Sequence, residues 1–143
     1  MGAQSVSVAV GIVFDDRGNV MLARTTYGAR QIGPPGGRIE QGESPIAAAR
    51  REFSEETGFE VRVDRLIGIY SFTDQDHEAL VYAFLCSIVG GELRIPGDEI
   101  SEVIWSDPRC LPEPADMVGP LAIADALDHN WGVVREGLVW RPR

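Results

Sequence analysis

The amino-acid sequence predicts an α/β (α+β) sandwich, in which a mixed sheet is covered by helices, as one domain spanning residues 1–143. Three observations indicate this fold: an alternating apolar segment near the start, a well-capped helix after a glycine-rich loop, and an apolar run in the second half. A chain of 143 residues can enclose one hydrophobic core and is too short for two ordinary domains. It contains no internal repeat and no linker.

The first half predicts two strands and a helix. Apolar residues alternate with small ones over Ser5–Phe14, which is the period of a strand. A polar turn follows, and Val20–Arg24 returns as a second strand, so we expect the two to pair as a hairpin. Ser44 as N-cap and Gly58 as C-terminal stop predict a helix over Pro45–Thr57.

The second half predicts three more strands and a second helix. The strand Leu80–Ile88 is apolar on both faces, so we expect it at the centre of the sheet. The other predicted elements are a strand over Glu60–Tyr70, a turn at Gly90 and Gly91, a short strand over Val103–Ser106 and a helix over Val118–Leu127. For the tail from Asp128 onward, which contains Trp131 and Trp140, the sequence predicts no helix or strand.

The charge balance excludes several classes of function. Thirteen basic against twenty-two acidic residues give a net charge of −9, which argues against a nucleic-acid polymer or an anionic membrane as partner. All of the basic residues are arginines. A lysine Schiff base and a P-loop lysine are therefore impossible. An anionic ligand would need a local positive charge to offset the acidic surface.

Cysteine usage and the start of the chain favour the cytoplasm. Cys86 and Cys110 are too few for a disulfide framework and are not spaced as a pair of metal ligands. No basic region precedes an apolar core near Met1, and no stretch reaches the length of a membrane span. We therefore expect a cytoplasmic protein, and a homodimer stays open beside a monomer.

The predicted helix over residues 45–57 carries an unusual acidic edge. At 100° per residue, Glu52, Glu55 and Glu56 share one arc in its last turns, where they repel one another and oppose the helix dipole. A hard divalent cation such as Mg²⁺ or Mn²⁺ would compensate both effects, and a solvated acidic face is the alternative. The adjoining arc is expected to face the sheet and contains Ile46, Ala49, Phe53 and Thr57.

The spacing around this helix is highly specific. Five residues separate Gly37 from Glu43, and seven more precede the pair Arg51 and Glu52. The chain then continues as Phe53, Ser54, Glu55, Glu56, Thr57, Gly58 and Phe59. This pattern resembles the Nudix box at every specified position. Its seven fixed identities, at about 6–7% usage each, make a chance match rarer than roughly one in 10⁸.

The resemblance implies the family's α/β/α sandwich and a metal-dependent hydrolase. Such enzymes cleave the pyrophosphate bond of a nucleoside diphosphate linked to another moiety, with Mg²⁺ or Mn²⁺. The partner would then be a small-molecule nucleoside diphosphate derivative, and ADP-ribose-like and nucleoside triphosphate substrates both stay open. The alternative is a catalytically silent nucleotide-binding or sensing module on a Nudix scaffold.

The resemblance also implies a metal-binding set. Glu52, Glu55 and Glu56 match the metal-binding carboxylates, and the carbonyl of Gly36 matches a backbone ligand. Gly36 and Gly37 would allow a backbone conformation that turns this carbonyl towards the metal.

Catalytic roles are implied for two further residues. Arg51 resembles the family's orienting arginine, with Glu43 as its expected carboxylate partner. In several branches of the family a downstream acidic loop supplies a further ligand or the general base, and Asp98 and Glu99 are best placed here. The residues expected to be catalytic are Glu52, Arg51, Glu55 and Glu99.

Substrate contacts are predicted for residues that flank the box. Arg24 and Arg38 could hold phosphate through their guanidinium groups, although a surface ion pair is the alternative for each. Tyr27 could stack on a base, with core packing as its alternative. The same choice applies to Tyr70, Phe72 and Trp105.

Overall fold

The computed structural model describes residues 4–139 and contains two helices and eight strands in that range. In chain order the elements are β1 Gln4–Ile12, β2 Val20–Thr25, β3 Ile32–Gly33, β4 Gly36–Arg38, α1 Pro45–Thr57, β5 Phe59–Thr73, β6 His77–Gly91, β7 Ile100–Ser106, α2 Gly119–Leu127 and β8 Val133–Val139. Trp140 lies outside the described residues. Neither helix within this range combines the length and apolar character that crossing a bilayer requires.

The strands form a mixed five-stranded sheet and an antiparallel three-stranded sheet. The larger has the order β4-β1-β6-β5-β8, and the smaller has the order β3-β2-β7. In the larger sheet β1 runs parallel to β6 and β8 runs parallel to β5, whereas β4 and β5 are antiparallel to their partners β1 and β6. The predicted mixed sheet and the central position of the strand around residues 80–88 are confirmed.

The predicted hairpin is wrong because its two strands belong to different sheets. β1 pairs with β6, whereas β2 pairs with β3 and β7. The turn between the two segments is present, with a bond from the Asp15 N–H to the Asn19 carbonyl, a bridge between Phe14 and Val20 and a bond from the Met21 N–H to the Val13 carbonyl, but the pairing does not continue along β1. Alternation predicts that a segment is a strand and which side chains share a face, but it does not predict the partner strand.

Two details of the second half also differ from expectation. Gly90 and Gly91 make no turn, because they continue β6 and pair with Glu60 and Phe59. The tail forms β8, whose polar centre and Gly137 hide the strand pattern.

The two helices cover opposite sides of the sheets. Ala48, Ala49 and Phe53 of α1 lie in one buried cluster, and Ala122 and Ile123 of α2 lie in another. β2 serves both clusters, because its alternate side chains point to opposite sides. Val20 and Leu22 pack in the α2 cluster, whereas Met21 packs in the α1 cluster. The α/β/α sandwich is therefore observed.

Helix α1 begins and ends as its sequence predicts. The Ser44 hydroxyl accepts a hydrogen bond from the Ala47 N–H at 3.0 Å. Gly58 adopts a left-handed conformation with φ 83°, and its N–H bonds to the Ser54 carbonyl. Burial starts at Ala48, so Ile46 in the first turn is 49% exposed and its predicted packing against the sheet is wrong.

A buried carboxylate ties α2 to β5 and β8. Asp125 is 4% exposed and accepts hydrogen bonds from the Tyr70 hydroxyl at 2.7 Å and from the Arg135 Nε at 2.7 Å. The Asn130 amide donates a third bond at 3.2 Å. The hydrogen bonds from Arg135 lower the pKa of Asp125 to about 2, with further contributions from Tyr70 and Asn130. This network stabilises the folded state whenever the carboxylate is ionised.

We predict that Asp125→Asn lowers the free energy of unfolding by about 2 kcal/mol at pH 7, since it removes the charge that faces Arg135. The stabilisation by Asp125 is present above pH 4 and is lost as the pH falls through 4 towards 2, because its pKa is lower in the folded state. The free energies of unfolding of wild type and variant, measured by thermal unfolding followed by circular dichroism, should therefore converge near pH 2. A constant gap between them from pH 7 to pH 2 would contradict this.

Candidate active site

The acidic edge of α1 packs directly against β4. The Gly36 N–H donates a hydrogen bond to the Glu56 Oε1 at 2.7 Å. A Cβ atom at Gly37 would lie 2.5 Å from the Glu52 Cδ, so any side chain there would displace that carboxylate. Neither glycine has a left-handed φ, so their backbone freedom is not what the site uses. They let two carboxylates approach the main chain.

Arg51 holds the acidic edge together. Its Nε and Nη2 donate to the two oxygens of Glu43 at 2.7 and 2.9 Å, so the expected partnership is observed. Its Nη1 donates to Glu52 at 2.8 Å and to Glu55 at 3.3 Å. The Nη2 also reaches the Arg38 carbonyl at 3.0 Å. The hydrogen bonds from Arg51 lower the pKa of Glu43 to about 2, so this carboxylate stays ionised.

Negative charge is concentrated around Glu56. Burial of the Glu56 carboxyl raises its pKa to about 8, and the charges of Glu52, Glu99 and Glu55 act in the same direction. The Gly36 N–H opposes this shift. Burial also raises the pKa of Glu52, against the effect of Arg51. Within this cluster the single positive charge of Arg51 does not neutralise four carboxylates, those of Glu52, Glu55, Glu56 and Glu99.

Glu99 reaches this cluster from the loop before β7. Thr26 anchors the loop, since its N–H donates to the Glu99 carbonyl at 2.9 Å and its hydroxyl donates to the Asp98 carbonyl at 2.6 Å. The Asp98 carboxylate accepts from the Glu99 N–H at 2.9 Å and so stabilises the turn. The charge of Glu99 acts on Glu52 and Glu56. Of the two predicted candidates, Glu99 is therefore the one that faces the cluster.

The carboxylates do not converge on a single point in this arrangement. No three His, Cys, Asp or Glu side chains of residues 4–139 form a group that could hold a metal ion as they stand. The hydrogen bonds described above account for this, because Arg51 holds Glu52 and Glu55 while the Gly36 amide holds Glu56.

A cavity of about 340 Å³ adjoins the acidic cluster and lies between the two sheets. Glu56 and Gly36 form one wall, and the Tyr27 loop forms the mouth. The rest of the lining is mostly apolar and includes Val8, Val10, Ala23, Ile100 and Val118. The arrangement places a carboxylate cluster at one end of a recess large enough for part of a small molecule.

Asp116 is a polar group in this cavity that sequence reasoning missed. Its Oδ1 accepts a hydrogen bond from the Gly119 N–H at 2.7 Å, just before α2. A Cβ atom at Gly33 would lie 1.8 Å from the Asp116 Oδ2, so the glycine makes room for this carboxylate. Burial raises the pKa of Asp116 to about 6. An acidic residue ahead of a Gly-Pro helix start is the only sequence signal, and it indicates a cap without indicating a cavity.

The three residues predicted to contact substrate differ in their surroundings. Tyr27 is 64% exposed at the cavity mouth, and partial burial followed by the charges of Glu56, Glu99 and Glu52 raises the pKa of its hydroxyl. The Arg38 side chain is exposed beside the cluster.

Arg24 is the third residue predicted to contact substrate, and its side chain makes several contacts within the protein. Its Nε pairs with Glu102 at 3.0 Å, and its Nη1 donates to the Arg30 carbonyl at 3.0 Å and to the Glu113 carbonyl at 3.3 Å. The ion pair named as the alternative is thus present, and the phosphate contact of Arg24 stays a prediction.

The other aromatic candidates divide between core and surface. Tyr70 and Phe72 are buried in the core, whereas Trp105 on β7 is exposed.

Comparison with known proteins identifies relatives for most of the chain. The family model of the NUDIX domain matches residues 4–123. A MutT-like protein of Streptomyces ambofaciens is 37% identical over 124 residues, which cover 87% of this chain and 77% of that protein.

Two further relatives carry names with specific substrates. A putative 8-oxo-dGTP diphosphatase of Bacillus subtilis is 40% identical over 81 residues, covering 54% of this chain and 51% of that protein. An ADP-ribose pyrophosphatase of Methanocaldococcus jannaschii is 40% identical over 81 residues, covering 55% and 47%. The matches thus span about half the length of these two relatives.

Solved structures share the fold. A NUDIX hydrolase from Nitrosomonas europaea has a TM-score of 0.78 at 23% identity, covering 90% of this chain and 93% of that one. A MutT NUDIX hydrolase from Burkholderia pseudomallei has a TM-score of 0.77 at 22% identity, covering 85% and 98%. The acidic helix with its box, the extent of the family match and the MutT-like relative agree, and this chain belongs to the Nudix hydrolase family.

Proposed function

We propose that this protein is a metal-dependent pyrophosphohydrolase that cleaves the pyrophosphate bond of a nucleoside diphosphate linked to another moiety. The proposal rests on one observation. The carboxylates of α1 and Glu99 adjoin a cavity, and Glu56 is part of both the acidic cluster and the cavity wall. The relatives named for ADP-ribose and for 8-oxo-dGTP support a small nucleotide substrate. ADP-ribose-like and nucleoside triphosphate substrates are both retained as candidates.

The chemistry of the acidic edge fits a divalent cation. Glu52, Glu55 and Glu56 would hold it, with the Gly36 carbonyl as the predicted backbone ligand, because hard oxygen donors suit Mg²⁺ and Mn²⁺. The raised pKa of Glu56 supports this fit, since it records a burial cost and a repulsion that a cation would offset. When bound, the cation would neutralise phosphate charge and acidify a bound water.

Arg51 acts as the internal counter-charge of the acidic edge. In the observed arrangement its Nη1 donates to one oxygen of Glu52 and to Glu55, so the second oxygen of Glu52 can ligate a cation while Arg51 stays in place. Glu43 keeps Arg51 in place throughout, because two of its hydrogen bonds involve the other side of the guanidinium. Arg51 would thereby position the carboxylates.

The cavity next to Glu56 suits the nucleoside end of the substrate. Its apolar wall offers contact for a flat ring, and Asp116 offers hydrogen-bond acceptors or, when protonated, a donor. Tyr27 at the mouth could cover the bound group. Phosphates would then lie towards Glu56 and Glu52, where the cation is proposed.

The general base is proposed to be Glu99 or Glu52. Glu99 is tied to the Tyr27 loop through Thr26, so its backbone position is well defined beside the cluster. Glu52 is instead engaged by Arg51 in the observed arrangement. A carboxylate that is not itself held by an arginine is better able to accept a proton from water.

The proposal is tested by incubating the purified protein with Mg²⁺ and a panel of ADP-ribose, ADP-sugars and nucleoside triphosphates, followed by identification of the products. We expect cleavage at a pyrophosphate bond that stops after exhaustive dialysis against EDTA and returns with Mg²⁺ or Mn²⁺. Undiminished turnover in EDTA would overturn the metal dependence. Saturable binding without hydrolysis of any compound would favour the catalytically silent binding module.

Replacement of the metal-binding carboxylates is expected to abolish most activity. Glu52→Gln and Glu56→Gln keep the shape and remove the charge, so turnover should fall by at least about a thousandfold, or ~4 kcal/mol of barrier. The exposed Glu92→Gln is the control with the same change of charge and should match wild type. Steady-state rates of Glu52→Gln and Glu56→Gln within tenfold of wild type would remove the acidic edge from the mechanism.

The metal-free protein is expected to lose stability as the pH rises. Folding raises the pKa of Glu56 from 4.5 to about 8, so its contribution is favourable below pH 4.5 and is lost as the pH rises through 8. The melting temperature in EDTA should fall from pH 5 to pH 8.5, and Glu56→Gln should show a clearly smaller fall. The residual slope belongs to Asp116, whose pKa is about 6, and to Glu52, whose pKa is raised by burial. Parallel curves for wild type and variant would refute the assignment.

The role of Glu99 is separable by kinetics. If Glu99 is the base, Glu99→Gln should lower kcat strongly and leave KM and the Mg²⁺ dependence nearly unchanged. If Glu99 is a metal ligand, the variant should need more Mg²⁺, and excess Mg²⁺ should restore part of the rate. Asp98→Asn is the matched control, because it removes the same charge at the neighbouring residue, whose carboxylate stabilises the turn. Rates measured against Mg²⁺ concentration distinguish these outcomes, and unchanged kinetics would assign the base to Glu52.

A further inference from the structure

A second cavity, of about 570 Å³, lies far from the acidic cluster. We call it the distal cavity. Gly18 and Asn19, just before the start of β2, line this cavity. Thr25 and Tyr27, at the other end of the same strand, line the first cavity. Six residues of strand separate the two ends, or roughly 17 Å. The two cavities share no lining residue. The distal cavity is therefore independent of the proposed catalytic site.

The rim of the distal cavity carries two uncommitted arginines. Arg17 and Arg109 both line it and are exposed. Within residues 4–139 neither guanidinium has a hydrogen bond or an ion pair; only their backbone N–H groups are engaged, by Asp15 and Asp107. Arg24, Arg51, Arg62 and Arg135, by contrast, all face carboxylates. The rim of the distal cavity thus has two arginine side chains that form no ion pair with a carboxylate of residues 4–139, in a chain with a net charge of −9.

The inner part of the distal cavity is apolar and includes a fixed aromatic wall. Phe14, Leu85 and Ala126 lie in its lining. The rings of His129 and Trp131 stack, with centroids 5.6 Å apart and an angle of 17° between planes. The Arg65 guanidinium lies 4.3 Å from the centroid of the Trp131 ring, which adds positive charge next to this wall.

The backbone also holds this wall in place. His129 follows α2 with a left-handed φ of 56°, a conformation that is uncommon for residues other than glycine. Its N–H bonds to the Ala126 carbonyl, and the next residue's N–H bonds to the Asp125 carbonyl. The imidazole is thereby presented to Trp131 from a defined end of the helix, and the wall is formed before any ligand arrives.

We propose that the distal cavity is a second ligand site, which binds a small anion carrying a flat ring, of the nucleoside monophosphate class. Arg17 and Arg109 would bind the phosphate, for which guanidinium groups have matching geometry. The ring would lie on the apolar lining beside Trp131 and His129. Asp107 is the one acidic side chain in the lining, and its engagement by the Arg109 N–H limits its repulsion of the phosphate. A volume of about 570 Å³ is within the range of small-molecule sites.

The test is a titration of the full chain with AMP in EDTA. Without a divalent cation the carboxylates of the first cavity repel a phosphate, so binding under these conditions reports the distal cavity. We expect saturable binding by calorimetry, with amide chemical-shift changes at Arg17, Gly18, Asn19 and Arg109. The double variant Arg17→Glu with Arg109→Glu should weaken the Kd at least about tenfold.

Two controls complete the experiment. Arg62→Glu with Arg94→Glu makes the same change of net charge outside the lining and should leave the Kd within about twofold. Arg17→Ala with Arg109→Ala should weaken binding in the same direction as the glutamate pair, and the melting temperature verifies that each variant folds. Inorganic phosphate should bind at least about tenfold more weakly than AMP, because it lacks the ring.

Three results would overturn the proposal. They are an AMP affinity that is unchanged in both arginine double variants, shift changes confined to the residues around Tyr27 and Asp116, and equal affinity for phosphate and AMP. Absence of hydrolysis in the substrate panel would leave this proposal standing, since the titration needs neither metal nor turnover.

Discussion

The close approach of α1 to β4 is the constraint on which the site depends. Glu56 bonds to the Gly36 amide, and Glu52 occupies the space that a Cβ atom at Gly37 would fill. Any side chain at Gly37 would displace the Glu52 carboxylate from this position. The caps at Ser44 and Gly58 fix where α1 begins and ends, and the burial of its apolar face keeps the carboxylates at the margin of the core.

This placement has an electrostatic cost that the fold meets locally. Burial and mutual repulsion raise the pKa of Glu56, while Arg51 offsets part of the charge through Glu52 and Glu55. Glu43 in turn fixes Arg51 from the loop before the helix. The site thus combines an arginine that Glu43 holds in place with carboxylates that repel one another, and a cation at the proposed metal site would reduce this repulsion.

The parts of the structure that depend on near neighbours could be predicted from the sequence. The helix limits and the central strand follow from local spacing or apolar content, and the pairing of Arg51 with Glu43 follows from the resemblance of the box to its family. The partners of β1 and β2 could not, because alternation describes a face and not a neighbour. The place of Asp116 in the cavity could not be predicted, because it is distant in sequence from helix α1 across the cavity. The pairing of Arg24 with Glu102 could not be predicted either, because it depends on the register between β2 and β7. β8 was hidden by its polar centre.

The division of the strands between two sheets places the proposed substrate cavity between the sheets, whereas the proposed catalytic carboxylates lie mainly on helix α1. The side chain of Val8 reaches the first cavity from the five-stranded sheet, and those of Ala23 and Ile100 reach it from the three-stranded sheet. No ladder of either sheet crosses the space between them, so substitutions in these walls can reshape the recess without breaking strand pairing. The carboxylates belong to a helix that such substitutions leave in place. If the first cavity is the proposed substrate site, evolution can change the group that it accepts while the proposed catalytic carboxylates stay the same, so the architecture is suited to diversification of substrate range.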